Sequence, residues 1–290
     1  MMKIVSRDNK ILKHVKKLGS AAYRAKCGEF IAEGERLCNE ALFCFAKNLC
    51  KTKSSQGDAH ALRTEEMTQN RAKISYAILS ETYLSENVNF QKKLDDLKVK
   101  VYTVPDKLFR DISQTDTPQG ILFVIKQQMA EEVAFADISR VLMLDGVSEP
   151  GNMGTIIRTA NAFGFRTIVL CNNCVDIYNP KVIRASMGGI FRTKFVKTDH
   201  PATRLHGREI IELLKSNNFK IVATSLENAV DINTVNFDGK IALVIGNEAN
   251  GVSKELLNLS DVNVKIPMSD GTESLNAAVA AGIAMYLGRE

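Results

Sequence analysis

From residue 141 onward, short apolar runs alternate with segments whose apolar residues recur every three or four positions. The runs at 141–145, 167–171, 220–225, 241–245 and 262–266 predict strands, and the periodic segments at 153–163, 204–216 and 274–287 predict helices. Apolar strands separated by helices imply an α/β domain with a mostly parallel sheet covered on both faces. Ligands of such sheets collect beyond the carboxyl ends of the strands, which puts residues 146–152, 225–228, 246–251 and 267–276 on the functional edge. The first half reads differently. Residues 8–18 predict a short helix with Ile11, Leu12, Val15 and Leu18 inward and a run of lysines outward. Apolar segments at 30–33, 41–45, 73–79, 99–104 and 121–125 predict a smaller α/β module, with a polar loop at 54–60 and a turn at Thr117-Pro118-Gln119-Gly120. The polar stretch 126–132 reads as a linker, so two domains are expected, residues 1–130 and 131–290.

Polar residues break the helical pattern at one place above all. In the stretch 151–164, Ile156, Ile157, Ala160 and Phe163 share a face, while Asn152 stands at the helix mouth and Arg158 lies off the apolar stripe. Asn152 could serve only as a helix cap, and Arg158 only in a surface salt bridge. Two more corners rich in glycine and polar residues follow, Gly246-Asn247-Glu248 and the stretch from Gly271 to Asn276. Glycines 246, 251 and 271 fit either plain turns or close approach of backbone to a ligand.

Charge changes the picture of the first half. The net charge is +5; residues 1–120 carry 21 basic against 15 acidic side chains, and residues 121–290 carry 17 against 18. Eight basic and two acidic residues fall within the first thirty, a local excess that attracts polyanions or simply forms a solvated face. His14 belongs to that polar face.

Several chemistries lose ground. Six cysteines suit a reduced intracellular chain, and Cys171-Asn-Asn-Cys174 has redox or metal spacing but no second pair nearby, so buried structural thiols are the simpler reading. Carboxylates at Asp145, Glu248, Asp270 and Glu273 lack diagnostic metal spacing, and no metal is expected. Neither a dinucleotide fingerprint nor a phosphate loop is present, and His200 and His206 lie far from any nucleophile corner. The apolar run 277–287 is too short to span a bilayer and no leader follows Met1, so a cytoplasmic protein with no membrane partner is expected.

Three motifs carry a resemblance. Asp145-Gly146, Pro150-Gly151-Asn152 and the run from Gly154 through Arg158 to Gly164 form the first; Leu243-Val-Ile-Gly246-Asn247-Glu248-Ala-Asn-Gly251 forms the second; Ile266-Pro-Met268 with Ser274-Leu275-Asn276 and an alanine-rich helix forms the third. In this order they resemble the SpoU or TrmH family of RNA ribose 2′-O-methyltransferases, of the SPOUT superfamily. The segment 180–186 also matches, and Phe30-Ile-Ala-Glu33-Gly34 with Thr117 to Gly120 is similar to the L30e-like substrate-binding domain that precedes the catalytic domain in many members. Two departures stand out: 269–273 is longer or more polar than the commonest form, and Ala277 stands where valine is frequent.

The resemblance implies a SPOUT-type parallel sheet with a C-terminal trefoil knot, preceded by a smaller L30e-like α/β domain. It implies S-adenosylmethionine as cofactor, structured RNA as partner, ribosomal before transfer RNA, and a homodimer through the catalytic domain. A noncatalytic RNA-binding assembly protein is the reading from another class. Carried over residue by residue, the catalytic set is Asn152, Arg158, Glu248, Ser274 and Asn276, and the cofactor set is Thr224, Ser225, Leu226, Ile245, Gly246, Asn247, Gly251, Ile266, Met268, Ser274 and Leu275. Asn152 would orient the ribose or Arg158, and Glu248 would hold Asn152 or Arg158. Ser274 can also cap the last helix. Arg158 is expected to act as an electrostatic clamp rather than a general base, because a guanidinium does not release its proton near neutrality.

Overall fold

The computed structural model describes residues 2–51, 73–130, 134–198, 205–271 and 274–290. The loop expected at 54–60 and the residues His200 and Glu273 lie outside them. The chain forms two compact units, one of residues 1–128 with 178–191 and the other of 129–177 with 192–290. Residues 178–191, expected in the second domain, are thus grouped with the first unit. Their helix Pro180–Ala185 packs on the strand Glu29–Glu33, and the Tyr178 ring lies 4.6 Å from that of Phe30.

Among the described residues the first unit is built on a five-stranded mixed sheet. Its strands are β1 (Met2–Lys3), β2 (Glu29–Glu33), β3 (Ile74–Ser80), β4 (Val101–Val104) and β5 (Ile121–Lys126), in the order β1-β4-β3-β5-β2. Helix α1 (Lys10–Lys17) lays Leu12 and Val15 onto this sheet, where they join Leu18, Ile78, Val104, Phe109, Leu122 and Val124 in one core. Residues 41–45 are the middle of a long helix, α3 (Glu35–Lys51), which follows α2 (Ala21–Cys27). Helices α4 (Glu81–Glu86), α5 (Val88–Asp96) and α6 (Asp106–Ile112) also belong to the unit.

Among the described residues the second unit holds seven strands, all parallel. They are β6 (Arg140–Asp145), β7 (Thr167–Cys171), β8 (Lys194–Lys197), β9 (Phe219–Thr224), β10 (Val230–Asp231), β11 (Lys240–Ile245) and β12 (Val262–Lys265), in the order β10-β12-β9-β11-β6-β7-β8. The central strands β6 and β11 are buried almost throughout, as a parallel sheet covered on both faces requires. Five strands, β6, β7, β9, β11 and β12, sit within a residue or two of the expected runs. The strand β8 escapes the sequence pattern because only Phe195 and Val196 of its four residues are buried. One face is packed by α9 (Gly207–Ser216) and α10 (Lys254–Leu259), through Ile210, Ile211, Leu214 and Leu256. Helix α7 (Pro150–Ala162) buries Met153, Ile156, Ile157 and Ala160 and packs against the last helix, α11 (Ala277–Leu287), counting the helix Pro180–Ala185 as α8. Because the strands are parallel, the segments after β6, β9, β11 and β12 emerge together at one edge.

Candidate active site

Helix α7 starts at Pro150, where a missing N–H costs nothing. The Glu149 carboxylate accepts the Asn152 backbone N–H at 2.5 Å, and a Cβ on Gly151 would stand 2.8 Å from one of its oxygens. Glu149 is therefore the cap, and the alternative of Asn152 as a plain cap is corrected: Asn152 is the third residue inside the helix, so its amide is available for other work.

That amide joins the first turn of α7 to two separate loops. Asn152, only 9% exposed, donates through Nδ2 to Glu248 Oε1 at 2.7 Å and accepts through Oδ1 from Asn276 Nδ2 at 2.9 Å. Asn276 in turn caps α11, its Oδ1 accepting the N–H groups of Ala278 (2.9 Å) and Val279 (3.3 Å). Ser274 is corrected as the cap, because the backbone turns into the helix two residues later, at Asn276; Ser274 is exposed. The helix N–H groups can only donate and the Glu248 carboxylate can only accept, so both amides have one satisfactory orientation. Every donor in the chain points from the positive end of α11 toward Glu248, and each bond polarises the next.

The loop after β11 is tied down from within. A Cβ on Gly246 would stand 2.0 to 2.4 Å from backbone atoms of Gly251 and Val252, so no other residue fits there without moving the loop. Asn247 exchanges backbone hydrogen bonds with Gly251, donates its amide to the Gly146 carbonyl at 2.7 Å and accepts the Ala249 N–H at 2.8 Å. Asp145 lashes two further loops, accepting Asn172 Nδ2 at 2.6 Å and the Ser253 N–H at 2.7 Å. The side chains of Asn247 and Asp145 thus serve the scaffold. Among the described residues no cluster of three potential metal-binding side chains occurs.

The remaining expected residues are distributed along the same edge. Thr224 donates to the Val244 carbonyl at 3.3 Å, and Ser225 donates to the Glu227 carbonyl at 2.8 Å. Leu226 is exposed, Ile245 is buried at the end of β11, and Ile266, Met268 and Leu275 are half-buried. None of residues 225–229, 246–251 and 266–271 is a lysine or arginine, while Glu227, Glu248 and Asp270 are carboxylates. Such loops disfavour a polyphosphate and suit a ligand with cationic character that is gripped through backbone and apolar surface. Arg158 is exposed, six residues and about 9 Å along α7 from Asn152. Among the described residues it has no hydrogen bond or ion pair. The structure brings Asn152, Glu248 and Asn276 into contact and leaves Arg158 and Ser274 facing outward.

Family models match both halves of the chain. Residues 139–286 match the SpoU rRNA Methylase family, and residues 64–130 match the domain described as RNA 2′-O ribose methyltransferase substrate binding. The chain belongs to the SpoU rRNA methylase family. It is an RNA ribose 2′-O-methyltransferase by that membership. A 23S rRNA (guanosine(2553)-2′-O)-methyltransferase of Bacillus subtilis (strain 168) is 31% identical over 286 residues, covering 99% of this chain and 98% of the relative. A putative TrmH family tRNA/rRNA methyltransferase of Staphylococcus aureus (strain MSSA476) is 31% identical over 240 residues, covering 78% and 92%. Among solved structures, the AdoMet-bound rRNA methyltransferase from Sinorhizobium meliloti superposes with a TM-score of 0.78 at 25% identity, covering 99% of this chain and 96% of that one.

Within this SpoU-family site, sequence reasoning misses the role of Glu149. A carboxylate next to Pro150 is visible in the sequence, but glutamate is an uncommon cap and only the structure shows it folding over Gly151. Cys171 and Cys174 are not joined in a disulfide, and burial pushes the Cys174 thiol up to about 11. Cys174 donates to the Cys171 carbonyl at 3.1 Å, which ties the corner after β7 to itself.

Proposed function

We propose that this chain methylates a ribose 2′-oxygen of ribosomal RNA with S-adenosylmethionine as methyl donor, in the cytoplasm, as a homodimer joined through its catalytic domain. The observation that carries this reading is the Glu248–Asn152–Asn276 chain of hydrogen bonds beside loops that carry carboxylates and no cations. The nearly full-length similarity to a relative named for 23S rRNA supports the choice of ribosomal RNA.

The residues present fit the cofactor. Backbone groups of 224–226, 245–247, 251, 266–268 and 274–275 would hold it, with Leu226, Ile266 and Met268 as its apolar surface, and Gly246 lets the 246–252 loop fold tightly on itself beside them. When bound, S-adenosylmethionine supplies a sulfonium-activated methyl carbon. The protein has to orient the ribose hydroxyl, help remove its proton and exclude water. Arg158, without a partner among the described residues, is available to bind an RNA phosphate and stabilise negative charge developing on the ribose oxygen. It acts as a clamp, and the proton leaves through that phosphate or water, because an arginine pKa above about 12 is wrong for a base. Asn152 orients the ribose, Glu248 and Asn276 fix Asn152, and Ser274 adds a hydroxyl on the substrate side. The trefoil knot implied by the resemblance, with the C-terminal segment threaded through a loop, belongs to the same reading. So does the dimer, for which Val279 and Tyr286 on α11 offer exposed apolar surface.

The test uses RNA from a strain lacking the protein, incubated with labelled S-adenosylmethionine and mapped for ribose methylation. One site in ribosomal RNA is expected; label confined to transfer RNA would move the substrate to that class, and no label in either would overturn the reading. R158A should lower the methyl-transfer rate about 100- to 1,000-fold with cofactor affinity nearly unchanged. Normal turnover by R158A would remove the clamp assignment.

A further inference from the structure

Helix α1 carries four lysines and no acidic residue. At 100° per residue, Lys16, Lys13, Lys17 and Lys10 fall within an arc of about 120°, centred about 130° round the helix from the arc that buries Leu12 and Val15. All four are exposed. Lys13 pairs with Asp8 at 2.7 Å, and the nearby Arg7 pairs with Asp111 at 2.7 Å; Lys17 leans over the Tyr23 ring at 5.8 Å. Among the described residues, Lys10 and Lys16 have no anionic partner.

The helix is held in a fixed setting. The Asn9 side chain caps it, accepting the Ile11 N–H at 2.8 Å. On its inner flank His14 bridges the Tyr23 hydroxyl (2.9 Å) and the Glu29 carboxylate (2.9 Å), and Ser75 and Lys126 also bind Glu29. These contacts fix the rotation of α1, so the lysine stripe keeps facing outward. The four lysines span about 10 Å along the axis of α1, a linear charge density close to the one phosphate per about 3.4 Å of axis that a single strand of a duplex presents.

We infer that the outer face of α1 is an RNA backbone-binding surface that engages about three consecutive phosphates through Lys10, Lys13, Lys16 and Lys17. It rests on the reading of RNA as the substrate, and it lies outside residues 64–130, which match the substrate-binding family model. Phosphate contacts of this kind set register and affinity and carry no base sequence.

The experiment measures binding of the full chain to in vitro transcribed ribosomal RNA across a salt series. Wild type is compared with K10Q/K16Q/K17Q and with K215Q/K220Q/K240Q, at the end of α9 and the starts of β9 and β11 in the second unit, which removes the same charge away from the matched substrate-binding residues. Every phosphate that a variant no longer neutralises should flatten the plot of log affinity against log salt by about 0.7 to 0.9. The α1 triple variant should therefore lose about two units of slope and at least tenfold in affinity near physiological salt, while the control shifts far less. An unchanged slope for the α1 variant, or an equal change in both variants, overturns the inference. Wild type that binds no RNA would overturn the RNA reading itself. Retained thermal unfolding of the α1 variant separates weakened phosphate binding from a damaged fold.

Discussion

At the residue scale, the site depends on donors and acceptors that have a single workable orientation. Truncating Asn152 or Asn276 to alanine breaks the same chain of bonds, so each variant should cut methyl transfer about 10- to 100-fold, and the double variant should cost little more than either. A double-mutant cycle on the transfer rate checks this; additive losses would show that the two amides act separately. Gly246 is constrained more severely. Because an added Cβ meets backbone at 2.0 to 2.4 Å, G246A should lose about 2–4 kcal/mol of stability in denaturant titrations and weaken cofactor binding together. Cys174 stands at redox spacing from Cys171, but its thiol is half-buried and held up at about 11, so alkylation of the native protein at neutral pH should be slow and should accelerate on unfolding.

At the element scale, caps decide where the functional helices begin. Both N-termini that meet at the site end in side-chain acceptors, Glu149 on α7 and Asn276 on α11. The sequence pattern puts the start of α7 at 153, three residues late, and that of α11 at 274, three residues early, since apolar periodicity does not locate a cap. Caps are made by individual torsions and hydrogen bonds. E149A should lose about 1 kcal/mol of stability and misplace Asn152, raising KM for RNA or lowering kcat, with E149D restoring part of both. An E149A enzyme with unaltered kinetics would make the carboxylate a cap and nothing more. The strands are easier to read: the apolar runs at 141–145 and 241–245 are buried central strands, and burial on both faces leaves little room for polar residues.

At the scale of the whole molecule, the two units meet different demands. The second concentrates its loops on one sheet edge, and the first keeps a charged group inside its polar cluster. Burial pushes Glu29 up, but hydrogen bonds from Ser75 and Lys126 and the nearby Lys126 and His14 charges outweigh it, leaving the carboxyl below its usual 4.5. A depressed folded pKa contributes stability that is fully present above about pH 4.5 and is lost as the pH falls through the folded value. Acid titration of unfolding should therefore be less steep below pH 4.5 in E29Q than in wild type; superposable acid limbs would exclude the role. The sequence by itself determined the alternation of strands and helices, the parallel sheet and the polar corners, because burial and periodicity are written locally into residue types. Only the tertiary structure decided which polar residues meet. Asn152, Glu248 and Asn276 are up to 124 positions apart, and their hydrogen bonds exist because parallel strands bring distant loops to one edge. Local pattern is blind to such pairings, which is why Glu149, Asp145 and Asn247 acquired their roles only in the folded chain.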